Sequence, residues 1–528
     1  MAKAKEATKK IEPAYSLFYD PKGLTSINSS IDTISLLSKV NLSLEFPFNT
    51  QQAKAFANSF TERVSLLWGP PGTGKTTVLA GIVLGWLEQA LQSKKTVCIG
   101  VGSSNYNAID NLLQEVADLL ARRKESLGEI PVSLVRLRSD SAQALISDEI
   151  IDMERTSEAA ISLASQMGNP KKCLVVGGTW MQLGKLAETI NNDKESSAKW
   201  FDLLLIDEAS QVKVSSAAAY FLLAKETVNI VIAGDYKQLG PIYGFEPKKS
   251  KEDLYDCIFT YMQNSQNIEP TALETNYRTN LEISSWPRDR FYSEGYEAFF
   301  PERRLDLTLS NNIGCPANWP KSLPWSNEFL QILDPSLPVI VITYDAQGYT
   351  LSNPFESQIV SALCYLYRSF LLEQMPELSD NEFWQKRLGI VTPHRAQMSN
   401  IRNLLVETAK LPRNPSPFVD TVDRFQGQER DLIIASYTVA DKDFVQLEEK
   451  FILDARRFNV TLTRARSKFI MLVSNSIVQH LPSECEVATD AAHLQLFVDG
   501  YCSLLKQTKL SFFDNNKLVD VVCNLRTR

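Results

Sequence analysis

The chain has 528 residues, of which 44% are hydrophobic and 22% charged, as is typical of globular domains. This length is enough for two or three domains, each with its own core. No apolar run reaches the roughly 18 residues that a membrane-spanning helix needs, and no apolar stretch follows the Lys-rich residues 1–13, which argues against a secretory signal. The net charge of −7 does not indicate a nucleic-acid-binding protein. A whole-chain sum, however, averages out any local basic groove.

The cysteines and histidines argue against a metal centre. The chain has 8 cysteines and 3 histidines, which are scattered without a CxxC pair, whereas zinc and iron–sulfur sites need clustered ligands. Cys98, Cys173 and Cys523 lie in apolar runs and are predicted to be small core residues. We therefore expect a protein of the cell interior (cytoplasmic, or nuclear in a eukaryote), with residues 1–13 as a flexible basic arm.

The first predicted domain follows a short extension. Residues 1–46 are polar and mixed, with one or two short helices expected. From residue 47 to 272, β-branched runs (VSLLW, TVCIGV, KCLVVGG, FDLLLIDE and NIVIAG) alternate with amphipathic stretches, as parallel strands and crossover helices do. A polar stretch at about 121–167 favours helix and is predicted to form a helical appendage.

A second α/β series occupies residues 273–480. Its predicted strands are PVIVITY, RLGIVTP, DLIIASY and KFIMLVS, and the Pro- and Trp-bearing segment from Pro301 to Pro338 is predicted to be irregular connecting chain. Residues 481–528 form a tail with amphipathic pieces and no recognisable chemistry. The predicted fold class is therefore α/β, with two tandem domains built on parallel sheets.

A phosphate-binding loop follows the first strand. The segment Gly69-Pro70-Pro71-Gly72-Thr73-Gly74-Lys75-Thr76 lies between the strand VSLLW and a helical segment that starts with Thr76 and Thr77, which is the context that the GxxxxGKT motif requires. The glycines let backbone N–H groups curl round phosphates, and the helix N-terminus adds a favourable dipole. We predict that all of these residues bind ATP, with Lys75 on the β- and γ-phosphates and the Thr76 hydroxyl on Mg²⁺.

Two acids at the end of another strand complete a nucleotide site. Asp207 and Glu208 follow the apolar run FDLLLI. Asp207 is predicted to be a Mg²⁺ ligand, and Glu208 to polarise the attacking water. These two motifs alone predict a P-loop nucleotide hydrolase, a class that includes switches, transporters and unfoldases.

Further motifs carry a resemblance to the superfamily-one helicases. Gln238 lies in GDYKQLGP after the strand NIVIA, where it could report hydrolysis. The chain continues with TNYRTN at 275–280, TPH with Gln397, VDRFQGQERD at 422–431 and RRFNVTLTRAR at 456–466. These segments resemble family motifs in family order, from about residue 47 to 476. The motif sequences are similar to those of the branch that contains the nonsense-mediated-decay helicase and its DNA-processing relatives, namely DEASQ, NYRTN, VDRFQGQE and NVTLTRAR.

The resemblance implies two RecA-like domains that act on one nucleotide. Asn49 and Gln52 fit the family's adenine-reading NxxQ motif, Tyr277 offers an aromatic face to the adenine, and Gly427 with Glu429 resembles a ribose and γ-phosphate contact. Arg278 and Arg464 of the second domain correspond to arginines that neutralise the γ-phosphate, a contribution worth roughly 10³–10⁵ in rate. The predicted catalytic set is Lys75, Asp207, Glu208, Gln238, Arg278 and Arg464.

The predicted nucleic-acid contacts lie at strand ends. Ser104 and Asn105 follow TVCIGV and resemble the family's first strand-contacting motif, although the proline of some relatives is absent. Thr179, Thr392 and Thr421 are predicted to contact phosphate or 2′-OH groups through hydroxyls and exposed backbone N–H groups. Trp180 could equally stack on a base or fill the core.

The resulting hypothesis is a monomeric, nucleic-acid-dependent ATPase that translocates on single-stranded RNA or DNA, with ATP and Mg²⁺ as cofactors. The resemblance implies 5′→3′ movement. Protein partners could bind the N-terminal extension or the tail, and no membrane is involved. Two alternatives stay open: a translocase that strips proteins without unwinding duplexes, since residues 1–46 look too short for the accessory barrel of some relatives, and a scaffold that binds nucleic acid without hydrolysing ATP.

Overall fold

A computed structural model describes residues 14–24, 31–190, 198–243, 254–292, 295–309, 314–316, 318–346, 348–425 and 427–528. The predicted basic arm at 1–13 and Gln426 of the VDRFQG motif lie outside these residues. The chain forms two units, Met1–Glu274 and Thr275–Arg528, so the boundary is two residues from the predicted one.

Unit 1 contains one parallel sheet with helices on both faces. Its strands are β1 (Val64–Trp68), β2 (Cys98–Gly102), β3 (Val132–Arg138), β4 (Ile150–Glu154), β5 (Cys173–Gly177), β6 (Phe201–Ile206), β7 (Ala224–Gly234) and β8 (Pro270–Ala272). Its helices are α1 (Ala14–Tyr19), α2 (Thr33–Asn41), α3 (Thr50–Thr61), α4 (Lys75–Ser93), α5 (Tyr106–Leu127), α6 (Glu158–Ala164), α7 (Trp180–Ile190), α8 (Val214–Phe221) and α9 (Ile258–Thr260), with 3₁₀ turns at Pro21–Gly23 and Ala209–Gln211 and a π-helical turn at Tyr261–Ser265.

The strand order in unit 1 is β4-β3-β5-β2-β6-β7-β1-β8, and the pairs are parallel. Successive side chains of a strand point to opposite faces. Accordingly, Leu204 and Ile206 of β6 enter one hydrophobic core, while Leu203 and Leu205 enter another. Burial on both faces explains why these strands are continuous apolar runs in the sequence.

The predicted helical appendage at 121–167 is wrong. Helix α5 continues only to Leu127, and the chain then forms β3 and β4, which extend the sheet beyond β5. Their charged side chains pair across the strands: Arg136 Nη1 lies 2.8 Å from Asp152 Oδ1, and Arg138 Nη2 lies 2.9 Å from Glu154 Oε1. These ion pairs let a charged segment form sheet.

The described part of the N-terminal extension packs onto unit 1. Leu17 and Phe18 of α1 lie in the core that contains Leu204 and Ile206 of β6. Phe18 also contacts the rings of Phe221 and Tyr261. Leu36 of α2 lies in the core on the other face. These helices are therefore part of the first domain.

Unit 2 contains a second sheet. Its strands are β9 (Thr275–Asn276), β10 (Glu297–Ala298), β11 (Val339–Tyr344), β12 (Leu388–Val391), β13 (Val419–Asp420), β14 (Arg430–Ser436), β15 (Ala465–Ser474), β16 (Ser503–Asp514) and β17 (Lys517–Thr527). Its helices are α10 (Leu281–Pro287), α11 (Glu328–Leu333), α12 (Pro354–Gln374), α13 (Asp380–Glu382), α14 (Arg395–Asn403), α15 (Val422–Phe425), α16 (Lys442–Leu447), α17 (Glu449–Ile452), α18 (Ala455–Leu462), α19 (Asn475–Val478) and α20 (Cys485–Leu496), with π-helical turns at Arg288–Tyr292, Phe383–Arg387, Leu404–Thr408 and Phe497–Tyr501.

The strand order in unit 2 is β13-β12-β14-β15-β11-β17-β16, and β9 and β10 form a separate parallel pair. Strands β11 to β15 pair in parallel, whereas β17 is antiparallel to β11 and β16. The predicted α/β class is confirmed, and the sheet of unit 1 is parallel as predicted, whereas the antiparallel hairpin of β16 and β17 makes the sheet of unit 2 mixed. The described residues of 301–338 are irregular apart from α11, and Leu305, Leu307 and Leu323 pack into the core of unit 2.

The tail is not separate from the second domain. Strands β16 and β17 form a hairpin, and β17 pairs with β11 from Ile340↔Thr527 to Tyr344↔Cys523. Leu510, Phe512 and Leu525 lie in the core of unit 2. Residues 481–528 therefore complete the second sheet.

Candidate nucleotide and nucleic-acid sites

The loop after β1 adopts the conformation that a phosphate cradle needs. Gly72 and Gly74 have φ angles of 76° and 78°, the left-handed region that glycine adopts without strain. A Cβ on Gly69 would lie 2.8 Å from Lys75 Cβ, which is too close. The Thr73 hydroxyl donates to Pro70 O at 2.8 Å and closes the loop on itself.

The loop ends at the N-terminus of a long helix. Helix α4 begins at Lys75, and its first backbone bond runs from Val78 N to Gly74 O at 2.9 Å. The N–H groups of Lys75, Thr76 and Thr77 therefore have no acceptor within the helix, and the helix dipole adds a partial positive charge there. This arrangement fits an anionic phosphate chain.

Two acidic side chains hold the ammonium group of Lys75. Its Nζ lies 3.1 Å from Asp207 Oδ1 and 2.8 Å from Glu208 Oε1. Burial alone would lower the pKa of Lys75, but the two carboxylates outweigh it and raise the pKa, so the lysine is charged. Burial raises the pKa of Asp207, and Lys75 opposes that rise. The predicted catalytic residues Lys75, Asp207 and Glu208 thus lie together.

The backbone at the acidic pair is unusual. Asp207 follows β6, and its N–H donates to Gly102 O at 2.9 Å. Glu208 has φ 50° and ψ 40°, a left-handed conformation that non-glycine residues seldom adopt. Its N–H donates to Asp207 Oδ1 at 2.7 Å. Such strain is concentrated at functional sites.

The Gln238 loop lies against the phosphate loop because β7 pairs with β1. Gly69 N donates to Gly234 O at 3.1 Å. Buried Gln238 donates through Nε2 to Asp235 Oδ2 at 2.7 Å, and the Trp68 indole donates to Asp235 Oδ1 at 3.1 Å. The carboxyl ends of β1, β6 and β7 therefore bring together all the predicted catalytic residues of unit 1.

Asn49 and Gln52 form a capping box at the start of α3. The Gln52 N–H donates to Asn49 Oδ1 at 2.9 Å, and the Asn49 N–H donates to Gln52 Oε1 at 3.0 Å. Gln52 Nε2 also donates to Thr73 O at 3.2 Å. The buried Gln52 side chain thus supports the phosphate loop, and its predicted contact with adenine stays a prediction.

Magnesium and ATP fit the residues of unit 1. Mg²⁺ prefers oxygen ligands. The Asp207 carboxylate, 3.1 Å from Lys75 Nζ, and the hydroxyl of Thr76, the next residue after Lys75, could provide them. Within the described ranges, no group of three or more His, Cys, Asp or Glu side chains could hold another metal ion. Cys98, Cys173 and Cys523 are buried, as predicted. No helix among the described residues is long and apolar enough to cross a bilayer.

A charged cluster in unit 2 centres on Glu429. Arg278 Nε bonds Glu429 Oε2, and Arg466 Nη2 lies 2.6 Å from Glu429 Oε1. Burial would raise the pKa of Glu429, but the two guanidinium groups outweigh burial and lower it to about 2. Glu429 is therefore a carboxylate at any physiological pH, and it fixes the direction of the Arg278 side chain.

The other predicted nucleotide-binding residues of unit 2 surround this cluster. Arg464 is 3% exposed and donates to Val460 O at 3.0 Å and to Gln428 O at 3.3 Å. Gly427 has φ 80°, which allows the tight turn before Glu429. The Tyr277 ring packs on Phe299 with centroids 4.9 Å apart. The proposed action of Arg278, Arg464 and Tyr277 on a nucleotide stays a prediction.

The predicted nucleic-acid loop after β2 is anchored by two residues that the sequence motifs did not indicate. Ser104 Oγ donates to Gln211 Oε1 at 3.2 Å, and Asn105 caps α5. Buried Tyr220 accepts a hydrogen bond from Ser103 N at 3.0 Å, and its hydroxyl reaches Ser103 O at 2.9 Å and Gly178 O at 3.0 Å. Gln211 ends the DEASQ motif and could have been suspected, whereas the sequence around Tyr220 carries no such signal.

Thr179 and Trp180 differ in exposure. Thr179 is 7% exposed, and its carbonyl accepts the first backbone bonds of α7. The Trp180 side chain is 37% exposed, so the interpretation of Trp180 as a core residue is wrong. An exposed ring beside the Ser104 loop is compatible with base stacking.

The unit 2 contacts line a cleft. Thr392 and Thr421 lie on its wall with Tyr437 and Arg457. Thr392 is 1% exposed, and its hydroxyl lies 3.1 Å from the Thr438 hydroxyl. The predicted contacts of all five nucleic-acid residues stay predictions.

Two family models match the chain, each described as an AAA domain, over residues 52–245 and 254–476. A regulator of nonsense transcripts 1 homolog from Arabidopsis thaliana is 24% identical over 89% of this chain and 36% of its own length. The ATP-dependent helicase NAM7 of Saccharomyces cerevisiae is 26% identical over 86% of this chain and 44% of its own. The DNA replication ATP-dependent helicase/nuclease dna2 of Schizosaccharomyces pombe is 27% identical over 80% and 27%.

The chain thus spans less than half the length of these relatives. Both matched domains carry the loops described above, in the order of the family motifs. The chain belongs to the superfamily-one helicases, in the branch that resembles the nonsense-mediated-decay helicase.

Proposed function

We propose that this protein hydrolyses ATP to move along single-stranded nucleic acid in the 5′→3′ direction, and that it separates duplexes or remodels ribonucleoprotein. The observation that carries the proposal is the cluster of Lys75, Asp207 and Glu208 beside the phosphate loop of unit 1. Relatives named as ATP-dependent helicases support it.

Unit 1 supplies the groups that hydrolysis needs. The loop N–H groups and Lys75 bind and orient the phosphates, and Thr76 and Asp207 would hold Mg²⁺, which neutralises charge on them. When phosphates replace the two carboxylates as the partners of Lys75, the Glu208 carboxylate would accept a proton from the attacking water. Gln238 bonds Asp235, and Gly234 accepts from Gly69 of the phosphate loop; we propose that Gln238 responds to the γ-phosphate.

Unit 2 supplies positive charge. Glu429 orients Arg278, and Arg464 donates to Val460 O of α18. We propose that these arginines stabilise the charge of the transferred phosphoryl group, as the family resemblance implies. An ATPase of this kind depends on nucleic acid if binding of the polymer changes whether these arginines reach the phosphates.

The decisive experiment measures phosphate release with no polymer, with single-stranded RNA and with single-stranded DNA of matched sequence. We expect at least one polymer to stimulate the wild-type rate. Glu208→Gln keeps the shape of the side chain but removes the base, so the rate should fall by about 10²–10⁴ while ATP still binds. Glu125→Gln on the exposed face of α5 is the matched control and should behave as wild type.

The rate pattern separates the alternatives. A wild-type rate that neither polymer raises refutes the motor. Binding of polymer with no phosphate release indicates the scaffold, although Lys75, Asp207, Glu208, Gln238, Arg278 and Arg464 are all present.

Three further substrates test the mechanical output. A duplex with a 5′ overhang should be separated and one with a 3′ overhang should not, if movement is 5′→3′. Displacement of streptavidin from a biotinylated single strand, without separation of either duplex, would instead identify the protein-stripping translocase.

A further inference from the structure

A buried polar network lies directly behind the cleft of unit 2. It joins Tyr344, Asn353, Glu356, Gln397 and Ser436, each at most 1% exposed. Burying a carboxylate is costly unless hydrogen bonds compensate. No step of the proposed function uses Glu356, so its burial calls for another explanation.

Glu356 is satisfied by donors from three segments. The Tyr344 hydroxyl donates to Oε1 at 2.5 Å, the Ser436 hydroxyl donates to Oε2, and Thr438 N donates to Oε2 at 2.9 Å. Burial raises the pKa of Glu356 to about 7, and these donors oppose the rise. The carboxylate of α12 therefore joins β11 to the loop that follows β14.

The loop that Glu356 holds is conformationally strained. Thr438 has φ 70°, which is a genuine outlier for a β-branched residue. Its N–H donates to Glu356, its carbonyl accepts from Asn353 Nδ2 at 2.9 Å, and its hydroxyl lies 3.1 Å from the Thr392 hydroxyl. Strain of this kind persists only where the surroundings determine the backbone strongly, which is common at binding sites.

The same network fixes the second loop of the cleft. Gln397 of α14 donates to Ser436 Oγ at 2.9 Å and accepts from Asn353 N at 2.8 Å. Helix α14 starts directly after the segment Thr392–His394, so its position sets that segment. Thr392, Pro393, Ser436 and Tyr437 all line the cleft.

We propose that Glu356 is a positioning residue, which sets the backbone of the Thr392 and Ser436–Thr438 loops for contact with the sugar–phosphate backbone of a single strand. This inference rests on the proposed function, because it assumes that the cleft binds nucleic acid. A buried network that only stabilised the domain would affect unfolding, whereas a positioning network also determines the affinity for the polymer.

The test replaces Glu356 by glutamine and measures the polymer concentration that half-saturates ATPase stimulation. The amide cannot accept from Tyr344, Ser436 and Thr438 at once, so we expect this concentration to rise about tenfold. The rate at saturating polymer should fall less than about twofold. Glu407→Gln, whose side chain is 65% exposed, is the matched control and should leave both values unchanged.

A double-mutant cycle checks the route of the effect. Thr392→Val removes only the hydroxyl that meets Thr438, and it should weaken polymer binding by itself. Because both changes act through one loop, Glu356→Gln with Thr392→Val should weaken binding by clearly less than the product of the two single effects. If the double variant weakens binding by the full product of the two single effects, the proposal is overturned.

Every outcome decides the inference. If Glu356→Gln does not fold, Ser436→Ala, which removes one donor, should still raise the half-saturating concentration about threefold, and an unchanged value overturns the proposal. If wild type is stimulated and Glu356→Gln matches Glu407→Gln, only this inference fails. If a fluorescent single strand does not bind wild type, the proposed function fails and the inference fails with it.

Discussion

Tyr220→Phe offers a stringent test of unit 1, because it removes one oxygen atom and keeps the ring. Tyr220 lies on α8 at 0% exposure, and its hydroxyl accepts from Ser103 N and reaches Ser103 O and Gly178 O. The ring also fits against Gly102, where a Cβ would lie 2.6 Å from it. One hydroxyl thus joins the loops after β2 and β5, which carry Ser104 and Thr179.

The expected cost follows from the backbone groups left behind. Phenylalanine leaves the Ser103 N–H and at least one carbonyl without this partner, and an unsatisfied buried group costs about 1–3 kcal/mol. The ring itself creates almost no cavity. We therefore expect a loss of about 2–3 kcal/mol in the stability of unit 1, which lowers its melting temperature by several degrees, at roughly 2–4 °C per kcal/mol for large domains.

Two measurements check this prediction. Thermal unfolding gives the stability, and amide hydrogen exchange at residues 102–105 and 178–180 shows whether these loops open more readily. The half-saturating polymer concentration should also rise, because both loops carry predicted contacts. Tyr19→Phe, at a 58% exposed tyrosine of α1, is the matched control. A Tyr220→Phe protein with the melting temperature, exchange and affinity of this control would refute the reasoning.

Two further substitutions test the nucleotide site. Gln52→Ala removes half of the capping box and the bond to Thr73 O, so we expect a loss of about 1 kcal/mol in stability. Isothermal titration should also show weaker ATP binding. An unchanged ATP affinity would contradict the inference that Gln52 supports the phosphate loop. Glu429→Gln should destabilise unit 2 by up to about 3 kcal/mol at neutral pH, since the pKa falls from 4.5 to about 2 on folding, with part of this screened at a side chain 30% exposed. A carboxyl group whose pKa is lower in the folded state stabilises the fold at pH values above its unfolded pKa. The difference in free energy of unfolding between wild type and Glu429→Gln, measured by urea denaturation, should therefore shrink as the pH falls from 4.5 towards 2. A difference that does not depend on pH would contradict this prediction.

Local signals in the sequence were sufficient for the central strands. FDLLLI and VIVITY are apolar throughout because both faces of a central parallel strand are buried, and each precedes polar residues at the carboxyl edge of its sheet. Since parallel strands end at the same edge, the motifs after β1, β6 and β7 could be placed together from the sequence. The cluster of Lys75, Asp207 and Glu208 agrees with that placement.

The edge strands could not be predicted in this way. The segments VSLVRLR and IIDME contain the charged residues Arg136, Arg138, Asp152 and Glu154, whose partners are distant in the sequence. Without those partners in view, the segments resemble the exposed, polar part of a helix. The register places Arg136 opposite Asp152 and Arg138 opposite Glu154, so the charges neutralise each other only after the strands have paired. Such pairing is information that a window of local sequence does not contain.

The C-terminal hairpin did carry a usable signal. Asn515 and Asn516 connect β16 to β17 with φ angles of 47° and 63°, and consecutive left-handed asparagines are typical of a tight hairpin turn. Val519, Val521 and Val522 of β17 and Phe512 and Phe513 of β16 are residue types that strands favour. What the sequence could not provide was the partner, because β17 joins β11, which lies far away along the chain.

Two of the residues that the sequence motifs did not indicate have a common position in the fold. Tyr220 and Glu356 lie on helices, and each sends one buried polar group beneath the loops at the carboxyl edge of its own sheet. The motifs contain the residues expected to meet the ligand, but the conformation of those loops depends on anchors elsewhere in the chain. A chain with every motif intact and either anchor replaced should therefore keep its fold and nucleotide binding, yet bind polymer weakly. Substitutions at Tyr220 and Glu356 consequently test whether loop geometry, as well as motif identity, determines affinity for a single strand.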